Sequence, residues 1–213
     1  MTRIQAVISD FGGVLTSPLV DSFAAVQESS GISMRALGTA MAAIAARDGV
    51  NPLFELETGR MTEAAFLGEL ERELSRQVSR EVRLDGFGER WFAQLHPNEP
   101  LIGLMSSLRD RGYQLAICTN NVREWEQRWR SKLPVDEIFD VVVDSAFVGF
   151  RKPERRIYEI TLERLGVPAA AALFVDDLEL NCQAASELGM TSVWFRSNEQ
   201  AIEEIEAALT SDG

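Results

Sequence analysis

Residues 6–14 read Ala-Val-Ile-Ser-Asp-Phe-Gly-Gly-Val. An uncharged run with two β-branched residues ends on a carboxylate and two glycines, which predicts a short buried strand stopping at an acidic turn. Four more runs of the same kind follow: Leu115-Ala116-Ile117-Cys118, Val141-Val142-Val143, Ala172-Leu173-Phe174-Val175 and Ser192-Val193-Trp194-Phe195. None shows polar alternation, so all five are expected as buried strands. Ahead of and between the last four lie segments of helical spacing. Residues 101–111 carry Leu101, Leu104, Met105 and Leu108 and stop at Gly112. Residues 154–165 are opened by Pro153 at a first-turn position and closed by Gly166, and residues 178–188 are closed by Gly189. A glycine just past the last apolar position is where a helix C-cap wants one. Strand, helix and strand at this spacing imply right-handed crossovers, hence an α/β chain with a parallel sheet sandwiched by helices.

The stretch 17–96 breaks that alternation. It has helical periodicity over 18–29, 34–47 and 62–77 and no convincing strand; Thr62 lacks a capping-box acid at Ala65, although Glu63 suits the first turn. The expectation is a Rossmann-like core of residues 1–16 and 97–213 with an all-helical cap, 17–96, inserted after the first strand. Its edges, Thr16-Ser17-Pro18 and His96-Pro97, have the proline and small polar residues of hinges.

Composition narrows the function. At ~150 residues per domain, 213 residues predict one domain with a large insertion or one large domain with a small one. With 33 acidic against 21 basic residues the net charge is −12, which repels phosphate backbones and anionic lipid, so neither nucleic acid nor a membrane is expected as a partner. The longest apolar runs, 40–46 and 169–175, fall far short of the roughly 20 residues that span a bilayer. Asp10 interrupts the N-terminal stretch before a signal-peptide core forms, so a cytoplasmic chain is expected. A homodimer is compatible with the sequence. Cys118 and Cys182 sit in apolar segments and read as buried thiols. A single histidine, His96, leaves no histidine cluster for a metal. Any chemistry must use carboxylates, lysine or hydroxyls.

In parallel α/β sheets ligands bind outside the carboxyl ends of the strands. The residues there are Asp10-Phe11-Gly12-Gly13-Val14, then Thr119-Asn120-Asn121, then Gly149-Phe150-Arg151-Lys152-Pro153, then Asp176-Asp177. Three carboxylates converging on one rim raise one another's pKa unless cations compensate. A divalent ion together with Lys152 would do so, and an oxygen-only ligand set suits Mg²⁺. The backbone N–H groups near Gly12-Gly13 and Asn120, with the Thr119 hydroxyl, could then cradle a phosphoryl group.

The set D-F-G-G-V (10–14), C-T-N-N (118–121), R-K-P (151–153) and V-D-D-x-x-x-N (175–181) resembles the haloacid dehalogenase-like hydrolase superfamily, in the branch with a helical cap after the first strand. The resemblance implies a Mg²⁺-dependent phosphatase that hydrolyses a small phosphorylated metabolite through an aspartyl-phosphate on Asp10. It implies metal ligation by Asp10, the Gly12 carbonyl and Asp177, with Asp176 binding metal through water or pairing with Lys152. Thr119, the Asn120 N–H and Lys152 would hold the phosphoryl group, with Lys152 also neutralising Asp10. Asn181 would support its loop.

One departure stands out. Phosphatases of this superfamily usually carry a second Asp two residues after the nucleophile, as general acid and then base, and here that position is Gly12. Losing such help costs roughly 10²- to 10⁴-fold in rate, most for poor leaving groups. The expected consequences are activity on good leaving groups such as glycosyl or acyl phosphates, a proton source in the cap or solvent, or a catalytically weak metal-binding module. A metal-free 2-haloacid dehalogenase is the alternative enzyme; its D-x-Y and S-x-N-x-x-D patterns are not matched at Gly12 or at Asp176-Asp177.

The remaining candidates have bland readings. Asp177 is expected to N-cap the following helix. Trp125 and Trp129 read as one apolar face of a solvated helix, on which Arg123, Arg128 and Arg130 are balanced by Glu124 and Glu126. Arg47, Asn51, Phe54 and Arg60 stand where a cap would reach over the rim.

Overall fold

The structure, a computed structural model, describes residues 3–210; the outermost positions of the expected core, 1–2 and 211–213, lie outside them. Strand β1 (Ala6–Ser9) is followed by five helices: α1 (Leu19–Ser30), α2 (Met34–Asp48), α3 (Pro52–Glu57), α4 (Glu63–Val78) and α5 (Phe87–Ala93). Alternation then begins with α6 (Glu99–Asp110), β2 (Gln114–Thr119), α7 (Glu126–Arg130), α8 (Val135–Ile138) and β3 (Val141–Asp144). It continues through α9 (Ser145–Val148), α10 (Arg155–Leu165), β4 (Ala172–Asp176), α11 (Glu179–Glu187), β5 (Thr191–Trp194) and α12 (Asn198–Thr210). Short 3₁₀ turns cover Arg123–Trp125 and Ala169–Ala171. The five strands pair in parallel in the order β3-β2-β1-β4-β5. That is the parallel α/β sheet expected from the sequence.

Burial follows the pleat. Val7 of β1 joins a core with Leu115, Ile117, Leu173 and Val175, covered by α6 and α12, while Ala6 and Ile8 face the opposite way onto α10 and α11. Both faces of the inner strands are therefore sealed. The edges correct the sequence reading: Val141 and Val142 of β3 are half-buried, and in β5 Trp194 is exposed, because an edge strand has a neighbour on one side only.

Between β1 and β2 only helices occur among the described residues. The chain leaves and returns at one point: Thr16 and Pro97 form an antiparallel bridge, Ser17 N–H donates to the His96 carbonyl at 2.7 Å, and Asn98 N–H donates to the Leu15 carbonyl at 3.0 Å. Thr62 caps α4 through the Ala65 N–H without the acid of a capping box. The expected helix from 154 opens differently. Arg155 is its first residue, and Pro153, on a cis peptide, lies in the turn ahead of it. No helix among the described residues is long and apolar enough to cross a membrane.

Candidate active site

The strand order reverses between β1 and β4, and the loops after these two strands diverge to opposite faces of the sheet. Asp10 follows β1 directly and Asp176 ends β4. Lys152, from the loop between α9 and α10, places its ammonium between them, with Nζ 2.7 Å from Asp10 Oδ1 and 2.6 Å from Asp176 Oδ2. Lys152 is 1% exposed and Asp176 fully buried. One oxygen each from Asp10, Asp176 and Asp177 lie within 4.8 Å of one another.

The loops are built to hold this cluster. Asn120 turns its whole side chain to the backbone of Lys152, with Oδ1 accepting from the Lys152 N–H at 2.7 Å and Nδ2 donating to its carbonyl at 3.0 Å. Asp176 Oδ1 accepts from the Leu178 N–H and the Asn181 amide, both at 2.9 Å. Asp176, rather than Asp177, thus steadies the entry to α11: the loop curls back on the strand's last residue, and the N-cap position falls to Leu178, whose apolar side chain makes no cap hydrogen bond. Asn181 serves its loop, and its carbonyl also accepts from the Tyr158 hydroxyl at 3.1 Å. Asp177 leans over Gly13, where φ is +80° and a Cβ would stand 2.5 Å from Asp177 Oδ2, so the position demands glycine twice over.

One ammonium serves two carboxylates, and the electrostatics follow from that shortage. Burial disfavours the Lys152 ammonium, yet Asp10 and Asp176 together hold its pKa well above the ordinary lysine value. Burial pushes Asp10 up to about 7, and its neighbours Asp176 and Asp177 add to the rise against the opposing pull of Lys152. Asp177 is raised to about 6, by burial first and then by Asp176. The cluster is short of positive charge. Asp176 has both oxygens committed, whereas among the described residues no hydrogen bond engages the Gly12 carbonyl or Asp10 Oδ2, and the Asp177 carboxylate meets only its own backbone N–H. Oxygen donors on these three residues, around a charge deficit, fit a hard divalent cation.

Asp10, Gly12, Thr119, Asn120, Lys152 and Asp177 line one cavity of about 370 Å³. Its other wall is one that sequence reading missed. Leu19 and Phe23 of α1, Leu37 and Met41 of α2, Leu56 of α3, Phe66 and Leu70 of α4 and Trp91 of α5 close it from above. The i, i+4 pairs Phe66/Leu70 and Phe87/Trp91 were the available signal, but a stripe of this kind looks the same whether it faces a core or a cavity. The expected rim residues point elsewhere. Arg47 pairs with Asp48 and Glu69, Asn51 caps α3 through the Leu53 N–H, and Arg60 reaches Glu55 and the Gly149 carbonyl. Phe54 lies under the Arg151 guanidinium, 3.9 Å from its ring centroid. Arg151 also holds Glu57 at 2.6 Å, an ion pair that lines the cavity and joins α3 to the Lys152 loop. Burial raises the Glu57 pKa against the pull of Arg151.

The two tryptophans do not share a helix face. The chain is 3₁₀ up to Trp125 and α-helical from Glu126, which rotates them apart. Trp125 lines the cavity, while Trp129 is fully buried, tilted on Phe11 and donating through Nε1 to Asp144 at 3.2 Å. Arg123, expected in solvent, reaches the Ala146 carbonyl.

This geometry has counterparts among known proteins. A family model for haloacid dehalogenase-like hydrolases matches residues 4–189. The chain is 32% identical over 208 residues to acyl-CoA dehydrogenase family member 10 of Mus musculus, covering 96% of this chain and 19% of that protein. It is 28% identical over 207 residues to the sesquiterpene phosphatase astK of Aspergillus oryzae, covering 90% of each. It thus spans about a fifth of the first relative and nearly the full length of the second. Its fold matches that of a HAD family enzyme from Bacteroides thetaiotaomicron crystallised with magnesium and inorganic phosphate, with a TM-score of 0.66 and 20% identity over 91% of this chain and 94% of the other. A family match running from the residues before β1 to the turn after α11, through every strand end that carries Asp10, Thr119, Lys152 and Asp177, makes this chain a member of the haloacid dehalogenase-like hydrolases.

Proposed function

We propose that the chain is a Mg²⁺-dependent phosphoric monoester hydrolase acting on a small phosphorylated molecule through a phosphorylated Asp10. The observation that carries this reading is Lys152 Nζ set between Asp10 and Asp176 with Asp177 alongside, an arrangement that concentrates positive charge only when a divalent cation completes it. The phosphatase among the relatives, and the magnesium and phosphate of the structural neighbour, support it.

Asp10, Asp177 and the Gly12 carbonyl would hold the ion directly, while Asp176, engaged through both oxygens, pairs with Lys152 behind them. Bound there, Mg²⁺ supplies charge neutralisation for the phosphoryl oxygens. The Asp10 carboxylate attacks phosphorus in line and the ester oxygen departs. The Thr119 hydroxyl and the Asn120 N–H grip the phosphoryl oxygens, and Lys152 holds Asp10 in its attacking orientation. Residues 17–96 act as a cap over the core of residues 1–16 and 97–213, and their apolar underside keeps bulk water away from the phosphorylated aspartate.

Phosphate release from p-nitrophenyl phosphate is expected to require Mg²⁺ and to stop in EDTA. Turnover unaffected by chelation would remove the metal assignment, and chloride release from 2-chloropropionate without phosphate release would favour the dehalogenase. The raised carboxylates set a further expectation. Mg²⁺ needs Asp10 and Asp177 ionised, so binding should expel protons and tighten as pH rises through about 6 to 7. Calorimetric titration in buffers of differing ionisation enthalpy measures this, and binding without proton release would contradict the placement of the ion among these oxygens.

A further inference from the structure

The cavity carries information about what the phosphoryl group is attached to, and the inference rests on the phosphatase reading above. Away from Asp10 and its neighbours, the charged groups lining the cavity among the described residues are Glu57 and Arg151, and these are spent on each other at 2.6 Å. Aromatic rings form much of the remaining wall. Phe87, Trp91 and Trp125 stand with centroids 5.9 to 6.2 Å apart and planes inclined by only 17° to 29°. Phe92 meets Trp125 edge-on at 5.3 Å. Such a wall offers ring faces and edges to another ring, and apart from the Trp125 Nε1–H, which has no partner among the described residues, it has little to replace the water around a sugar's hydroxyls or a second acid. A cavity of about 370 Å³ is large enough for a phosphoryl group and one ring.

A second, independent observation concerns the leaving oxygen. Gly12 has no side chain, and a Cβ placed there would stand 3.3 Å from Leu19 Cδ2, a tight contact with hydrocarbon. Position 12 thus offers no acid to the departing oxygen and borders on hydrocarbon instead. An alkoxide leaves poorly without that proton. A phenolate, whose conjugate acid has a pKa near that of tyrosine at about 10, does not need it.

We propose that the substrate is a monocyclic aryl phosphate, uncharged apart from its phosphoryl group. An Asp10 oxygen bonds to phosphorus as the P–O(aryl) bond breaks, its electron pair leaving on a phenolate that takes a proton from solvent. Water then attacks phosphorus, the Asp10–phosphorus link breaks, the surplus proton passes to solvent, and inorganic phosphate departs with the Asp10 carboxylate restored.

The test is kcat/KM for the unaltered protein with Mg²⁺ on substituted phenyl phosphates, cyclohexyl phosphate, glycerol phosphate, glucose 6-phosphate and acetyl phosphate. Phenyl phosphate is expected to exceed cyclohexyl phosphate and the two polar esters by roughly 10²-fold or more, with rates falling steeply as the leaving-group pKa rises. Polar esters within tenfold of phenyl phosphate, or cyclohexyl phosphate equal to it, overturn the proposal. Release from acetyl phosphate without release from phenyl phosphate overturns the aryl assignment and leaves the phosphatase reading standing; release from neither overturns both. The double substitution Gly12→Asp with Leu19→Ala makes room for an acid and should raise the cyclohexyl-to-phenyl rate ratio by about tenfold or more. A folded double variant with an unchanged ratio severs the link between Gly12 and the leaving group.

Discussion

Lys152→Met is expected to lower the unfolding free energy by about 3 to 5 kcal/mol and to abolish turnover. Methionine nearly matches the lysine stem in length and suits a slot that is 1% exposed, so the change removes charge with little loss of packing. What remains is a buried Asp10 and Asp176 that were 2.7 and 2.6 Å from a shared ammonium and now face each other uncompensated. A carboxylate whose folded pKa is raised destabilises the fold above its unfolded pKa, so the deficit should grow as pH climbs from about 4 towards 7 and shrink in acid. Added Mg²⁺ should recover part of it. Denaturant titrations at several pH values measure the effect, and a deficit independent of pH would show that Lys152 matters for packing and not for charge.

Asp10→Asn should reduce phosphate release on the order of 10⁴-fold or more while leaving the fold intact, because an amide oxygen cannot serve as the nucleophile. Its stability should hold or rise. Burial and two like-charged neighbours disfavour the Asp10 carboxylate, and a neutral amide relieves both. Lys152 keeps Asp176 as its partner, so the variant leaves no bare cation. Acid-quenched wild-type protein should carry one phosphoryl group on Asp10 and the variant none. Wild-type rates in a folded Asn variant would remove Asp10 from the chemistry.

The strands were legible because a buried parallel strand has a one-dimensional signature. Val7, Ile8, Ile117, Phe174 and Val175 must be apolar wherever their helices lie. The turns after them were legible for the same reason: chemistry at a strand end sits within a few residues of an unmistakable run. Edges were not, since the sequence Val141-Val142-Val143 looks the same whether one side or both are paired. The short helices α3 and α5 lacked the length for periodicity to show. Asp176 and Asp177 illustrate the limit within the cluster. Adjacent and identical, they take opposite roles, one locked by Lys152, Leu178 and Asn181 and the other held only by its own backbone N–H.

From the sequence alone came the parallel α/β core, the helical insertion after the first strand and the set of residue types able to act, because each follows from local periodicity or from what a strand end can hold. Tertiary structure decided which oxygens stay free for a cation and which face of the insert covers them. It turned Arg47 and Arg60 away and brought Trp91 and Trp125 in. Those choices depend on contacts between residues far apart in the chain, and such contacts leave no pattern in one dimension.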